Sequence, residues 1–138
     1  MLVFNVRNQE IWRIDNFAPA EKSINYLIAE FNFKTPDWDD TQKTAVFRNR
    51  KIKNVIEVLL DNDHCVVPWE VINEEGVIEV SAYGVKDEKK ITTNIAECKI
   101  NKTLYGGSTS NPPTPNVYEQ LLEKMGNVDG GTFEEWKE

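Results

Sequence analysis

The sequence predicts a mainly β protein: an antiparallel β-sandwich followed by a linker and a short C-terminal α-helix. Three observations carry this. Short apolar runs rich in valine, isoleucine and aromatic residues recur up to residue 100, separated by turn-forming residues. No long helical period interrupts them. A Gly/Ser/Pro-rich stretch then precedes a single segment with helical spacing. With 138 residues, 40% hydrophobic and 28% charged, the chain suits one domain. A domain of that size buries roughly two-thirds of its unfolded surface and folds without staples.

Residues 2–7 form the first apolar run, which resumes at 10–14. Within 25–33, Leu27, Ala29, Phe31 and Phe33 share one face of a period-two strand, and Tyr26, Ile28, Glu30 and Asn32 share the other. After a polar loop, 43–48 places Ala45 and Phe47 on one face. Residues 55–60 are apolar on both faces, as in a central strand. Asp61-Asn62-Asp63 supplies turn residues that bond their own backbone. The run 65–67 stops at Pro68, which cannot donate to a sheet ladder. Asn73-Glu74-Glu75-Gly76 reads as a tight connection. Residues 77–85 alternate, with Ile78, Val80, Ala82 and Gly84 on one side. A charged turn at 86–89 leads into 91–100, which closes the series, so the sandwich is expected to span 1–104.

Residues 105–113 read as a linker with a flexible Gly/Ser start and a stiff, extended Pro-Pro end. Thr114 suits a helix cap, Pro115 the first helical position and Gly126 the stop. A helix is therefore expected over 114–126, with an acidic tail at 127–138. Val117, Tyr118, Leu121, Leu122 and Met125 form its apolar stripe. A helix this short is marginal alone in water, so the stripe must pack on its own sandwich or on a neighbour. The linker favours the neighbour, which makes Val117, Leu121, Leu122 and Met125 the expected oligomer interface.

The formal net charge of -7 has the wrong sign for phosphate backbones. The densest basic run, Arg48-Asn49-Arg50-Lys51-Ile52-Lys53, reads as a solvated turn. Nucleic acid and anionic membrane are therefore not expected partners. No run reaches the ~20 apolar residues of a membrane span, and no membrane insertion is expected. The N-terminus lacks the basic start and apolar core of a signal peptide, so synthesis in a cytoplasm is expected.

The single histidine, His64, stands beside Cys65, but strand neighbours point to opposite faces. Cys65 and Cys98 read as small buried hydrophobes, and whether they pair is open. Asp37-Trp38-Asp39-Asp40 lacks the spacing of a calcium loop. Zinc ligand spacings and a phosphate-loop lysine are missing as well. No catalytic residue, cofactor or metal is expected. Trp38 and Trp69 sit at turns, where aromatic residues serve as sugar-stacking platforms or, more commonly, as plugs of the core or its edge.

Four pieces carry a resemblance, the first two through a pattern of extended strand, acidic-Trp turn and charged strand. They are Phe31-Asn32-Phe33-Lys34-Thr35-Pro36-Asp37-Trp38-Asp39 with Lys43-Thr44-Ala45-Val46-Phe47, and Val58-Leu59-Leu60-Asp61 with Cys65-Val66-Val67-Pro68-Trp69-Glu70-Val71. The others are Val80-Ser81-Ala82-Tyr83-Gly84 with Ile91-Thr92-Thr93-Asn94, and the run Pro112-Pro113-Thr114-Pro115-Asn116-Val117-Tyr118-Glu119-Gln120-Leu121-Leu122. Over residues 25–122 the chain resembles tail and baseplate proteins of phages and prophages of low-GC Gram-positive bacteria. The resemblance implies the N-terminal sandwich of an upper-baseplate or tail-fibre protein, which docks on the tail while a helical linker carries a receptor-binding part outward. It also implies a non-enzymatic structural role in the virion, phage tail or baseplate proteins as partners, and a homo-oligomer of threefold or sixfold symmetry. This chain stops soon after the helix, where longer relatives continue. It is therefore expected to be an adaptor or accessory protein of the tail. The competing expectation is a carbohydrate-binding module recognising cell-wall glycans through Trp38 or Trp69. A small inhibitor of a host enzyme also fits the acidic charge, but no residue argues for it.

Overall fold

The computed structural model describes residues 1–107 and 111–128. The strands in chain order are β1 (Leu2–Arg7), β2 (Glu10–Arg13), β3 (Ile28–Phe33), β4 (Gln42–Asn49), β5 (Ile56–Leu59), β6 (His64–Val66), β7 (Gly76–Lys86), β8 (Lys89–Thr92) and β9 (Ala96–Ile100). A one-turn helix, α1 (Trp69–Ile72), precedes β7, and α2 (Val117–Val128) follows the last strand. One sheet has the order β2-β1-β3-β6. The other has β5-β4-β7, with β8 and β9 in succession along the far side of β7. Together they form a β-sandwich-like fold with a short C-terminal helix. Among these strands pairing is antiparallel except between β1 and β3, which run parallel. A parallel pair needs a long return connection, and residues 14–27 provide it.

Asp15 organises that connection. Its carboxylate accepts the Val3 N–H at 2.7 Å and the Phe17 N–H at 2.8 Å, and it is ion-paired with Arg13 at 2.6 Å. Burial pushes this carboxyl up, but the hydrogen bonds from Arg13, Val3 and Phe17 outweigh it and hold the pKa down at about 2. A depressed folded-state pKa adds stability that is present above the ordinary value of 3.8 and is lost as pH falls toward about 2. Chemical unfolding followed from pH 5 to pH 2 should show Asp15→Asn losing the part of the acid dependence that this group supplies, about 2 kcal/mol. Identical slopes in both proteins would disprove this role.

The period-two faces close the core. Leu27, Ala29 and Phe31 are buried from one sheet, and Ala45, Phe47, Ile78, Val80 and Ala82 from the other. The Phe4 and Phe31 rings stack at 5.2 Å. Trp38, at the end of a 3-10 turn (Pro36–Trp38), is fully buried. Its ring lies 4.8 Å from that of Phe33, and its N–H donates to the Asn8 carbonyl at 2.8 Å. Gly84 makes the room, since a Cβ there would stand 2.9 Å from Thr41 Cβ and 3.1 Å from the Trp38 ring.

The two seams between the sheets close differently. On one side, the expected strand 91–100 breaks into β8 and β9. The Thr93 hydroxyl accepts the Ala82 N–H at 2.9 Å, and Asn94 then turns toward β2. The Asn94 N–H donates to the Gln9 carbonyl at 2.8 Å, and its side-chain oxygen accepts the Ile11 N–H at 2.9 Å. These bonds stitch the seam shut. On the other side, β5 and β6 are the edges of their respective sheets. The expectation that 55–60 is a central strand is thereby corrected. Ile56 and Val58 of β5 face the core, whereas Glu57 and Leu59 share its other face, and its outer edge lies against α2.

Candidate functional site

The second seam is built from a hairpin that splits. Asn62 and Asp63 both hold left-handed backbone, with φ of 51° and 62°, which suits a two-residue hairpin turn. Asp61 and His64 exchange backbone hydrogen bonds at 2.9 and 3.0 Å across it. Beyond that pair the arms diverge, because β5 joins β4 in one sheet and β6 joins β3 in the other. The Val67 N–H donates to the Leu27 carbonyl, and the Phe31 N–H to the Asp63 carbonyl. By antiparallel alternation, the N–H and C=O of Val66 therefore point away from β3, into the opening. A cleft of about 530 Å³ lies there, lined by Ile28, Val58, Leu59, Val66, Trp69 and Gln120 among others. Its volume falls within the range of ligand clefts, roughly 300–1,000 Å³.

The segment after the sandwich straps across this cleft. The Trp69 indole N–H donates to the Pro112 carbonyl at 3.0 Å. The Glu70 carboxylate accepts both the N–H and the hydroxyl of Thr114, each at 2.7 Å. Asn49 holds α1 in place beneath it. The fully buried Asn49 amide donates to the Val71 carbonyl at 2.9 Å and the Glu74 carbonyl at 3.0 Å, and accepts the Lys51 N–H at 2.9 Å. Pro112 of the expected linker and Thr114 just after it are thus anchored to the sandwich.

The helix boundaries are corrected. α2 begins at Val117, and its cap is Asn116, whose side chain accepts the Glu119 N–H at 2.8 Å. Glu119 reaches back to the Asn116 N–H at 3.1 Å, which completes a capping box. Thr114 lies two residues ahead of this cap, where its N–H and hydroxyl donate to Glu70 instead. Gly126 does not stop the helix, which runs to Val128. An interior glycine weakens a helix by about 1 kcal/mol without breaking it. Of the acidic tail expected at 127–138, residues 127 and 128 belong to α2 and 129–138 lie outside the described residues.

Gln120 is the residue that sequence reasoning missed. Its Oε1 accepts the Leu59 N–H at 2.9 Å, and its Nε2 donates to the Glu57 carbonyl at 2.8 Å. These are the outward groups of β5, so one carboxamide satisfies the edge as a neighbouring strand would. Between apolar Val117 and Leu121, a glutamine reads only as a polar interruption, and nothing in the spacing announced its role.

The stripe expected to form an oligomer interface divides. Val117 and Leu121 are half-buried on the same helix face as Gln120. Leu122 is 43% and Met125 61% exposed, joined by Tyr118 at 69%. At roughly 100° per residue, these three lie about a third of a turn round from the β5 face.

The two tryptophans differ. Trp38 offers no face to a sugar, because its ring is enclosed by the core, and the expectation of a glycan contact there is corrected. Trp69 is half-buried at the cleft, with its N–H spent on Pro112. Cys65 and Cys98 are free and buried, and burial pushes their thiols up to about 12 and about 11. His64 Nδ1 lies 2.6 Å from the Asn62 carbonyl and Nε2 lies 3.0 Å from Glu30. The Asn62 carbonyl raises its pKa; partial burial opposes this, and Glu30 adds to the rise. The basic run 48–53 is engaged by acids: Arg48 and Arg50 pair with Glu79, Arg50 also with Glu97, and Lys51 with Glu74. Among the described residues, no cluster of His, Cys, Asp and Glu is placed to hold a metal ion. Within the same residues no helix is long and apolar enough to cross a membrane.

Comparison with protein-family models and with curated proteins finds no match.

Proposed function

We propose that this chain is a non-enzymatic docking and assembly module whose sandwich contacts a partner and whose helix α2 contacts a second copy. The outward row Tyr118, Leu122 and Met125, exposed on a helix already anchored through its other face, carries the reading. A large exposed apolar row on a surface helix is characteristic of an interface. The one histidine is held by Asn62 and Glu30 and both thiols are buried, which favours binding over catalysis. The resemblance to phage tail and baseplate proteins supplies the setting: a structural part of a virion tail, made in the host cytoplasm. In that setting, purified particles should contain the chain at a fixed ratio to the tail proteins by mass spectrometry.

The anchoring of α2 decides which substitutions test self-association. Leu121 packs toward the chain's own sandwich, so changing it disturbs folding and association together. Leu122→Asp with Met125→Asp touches the outward row alone. Sedimentation of the wild type at tens of micromolar should show an oligomer, and the double variant a monomer with unchanged far-UV circular dichroism. A monomeric wild type, or a variant that still associates, would refute the helix contact.

A further inference from the structure

The Gln120 carboxamide occupies the place of a strand. It takes the Leu59 N–H, which the next hydrogen-bonded pair of the hairpin, Leu59 with Val66, would engage if β5 and β6 had not diverged, and the Glu57 carbonyl one pair further on. Opposite it, Val66 presents its own N–H and C=O to the same cleft and is 40% exposed. Two strand edges thus face one opening, one plugged by a side-chain amide and the other bare. A side-chain amide has the donor and acceptor of a peptide group but none of its continuity along the strand, so a true strand outcompetes it.

We propose that this corner is a strand-addition site: an extended, lysine- or arginine-bearing segment of a partner protein enters between β5 and β6. It pairs with Val66 on one side and displaces Gln120 from Glu57 and Leu59 on the other. Main-chain bonds supply affinity in this mode, and side-chain pockets supply selectivity. The apolar lining from Ile28, Val58 and Leu59 receives alternate side chains of the segment. Charge selects the occupant. Asp61 and Glu123 line the cleft, and neither forms an ion pair among the described residues, whereas His64 is already committed to Glu30. A basic residue at the mouth answers both carboxylates. The same charges disfavour a second copy of this chain, which carries a net charge of -7. α2 is then a cover held by its strap and by Gln120, and the partner's segment opens it.

This rests on the docking-module reading and names the chemistry of what docks. The probe is a displayed library of random nine-residue peptides, panned on the full chain, with enriched sequences resynthesised and titrated by fluorescence anisotropy. Enriched peptides should be rich in Lys or Arg. Gln120→Ala should bind them about tenfold more tightly, since two competing hydrogen bonds are removed. Val66→Pro, which deletes the bare N–H at a position that β3 does not use, should abolish binding. Asp61→Lys should reduce binding at least tenfold by charge alone, which keeps the test sound if the proline variant misfolds. No enrichment, acidic consensus peptides, or binding indifferent to Gln120 and to Asp61 would each overturn the proposal. Oligomeric state read on the same samples keeps the two ideas apart. Association through Leu122 and Met125 that persists without peptide binding leaves the module standing and removes the strand site.

Discussion

Trp38→Ala is expected to destabilise the protein by about 3–5 kcal/mol, the usual range for deleting a fully buried large aromatic residue. The Trp38 ring fills the space that Gly84 and Phe33 leave between the 3-10 turn and β7. Its loss opens a cavity that neither neighbour can collapse into, because Gly84 has no side chain to extend. It also leaves the Asn8 carbonyl without its donor at the β1–β2 turn. Urea denaturation should show the midpoint shifting with little change in slope, and the melting temperature should fall by roughly 10–20 °C. Trp38→Phe should cost less than half as much, since most of the volume is kept. Trp69→Ala, with a half-exposed ring and one hydrogen bond to Pro112, should cost about 1 kcal/mol. If Trp38→Ala melts like the wild type, the ring is not the core element described here.

Asn49→Ala is expected to cost about 2–4 kcal/mol, through polar groups and not through volume. Two carbonyls, those of Val71 and Glu74, lose their donor at once, and the Lys51 N–H loses its acceptor. Asn49→Asp is the sharper test. It keeps the acceptor and nearly the same shape, but turns the donating atom into an anionic oxygen facing two carbonyl oxygens. At pH 7 it should therefore be at least as damaging as alanine, and urea midpoints of the two variants give the comparison directly. A mild effect of aspartate would mean that water, not Asn49, holds these carbonyls. Because Asn49 fixes α1, which carries Trp69 and Glu70, both variants should also loosen the strap at Pro112 and Thr114.

Which side chains face the core was legible wherever a strand alternated. Leu27, Ala29 and Phe31 and the set Ile78, Val80, Ala82 and Gly84 are buried as their period-two spacing requires. Pairing was not legible, because alternation assigns faces and says nothing about neighbours. The parallel registry of β1 with β3, and the split of one hairpin between two sheets, come from contacts between distant segments. The candidate site belongs to that second kind of information. Gln120, Val66 and Asn49 are unremarkable residues locally and acquire roles only from what the fold sets opposite them. The cap shows the same limit at short range. Thr114 and Asn116 are both good caps by type, yet Asn116 caps the helix while Thr114 is bonded to Glu70, 44 positions upstream.

The two seams also impose an order of events on a chain made from its N-terminus. The bond from Ile11 to Asn94 joins residues 83 apart, so that side stays open until most of the sandwich has been synthesised. Gln120 is made about 20 residues after Ile100, which at ~5–20 residues per second is a delay of roughly one to four seconds. During that interval β5 is an unpaired edge of the kind that templates aggregation. When α2 arrives, Gln120 covers two groups of that edge and so removes part of the template.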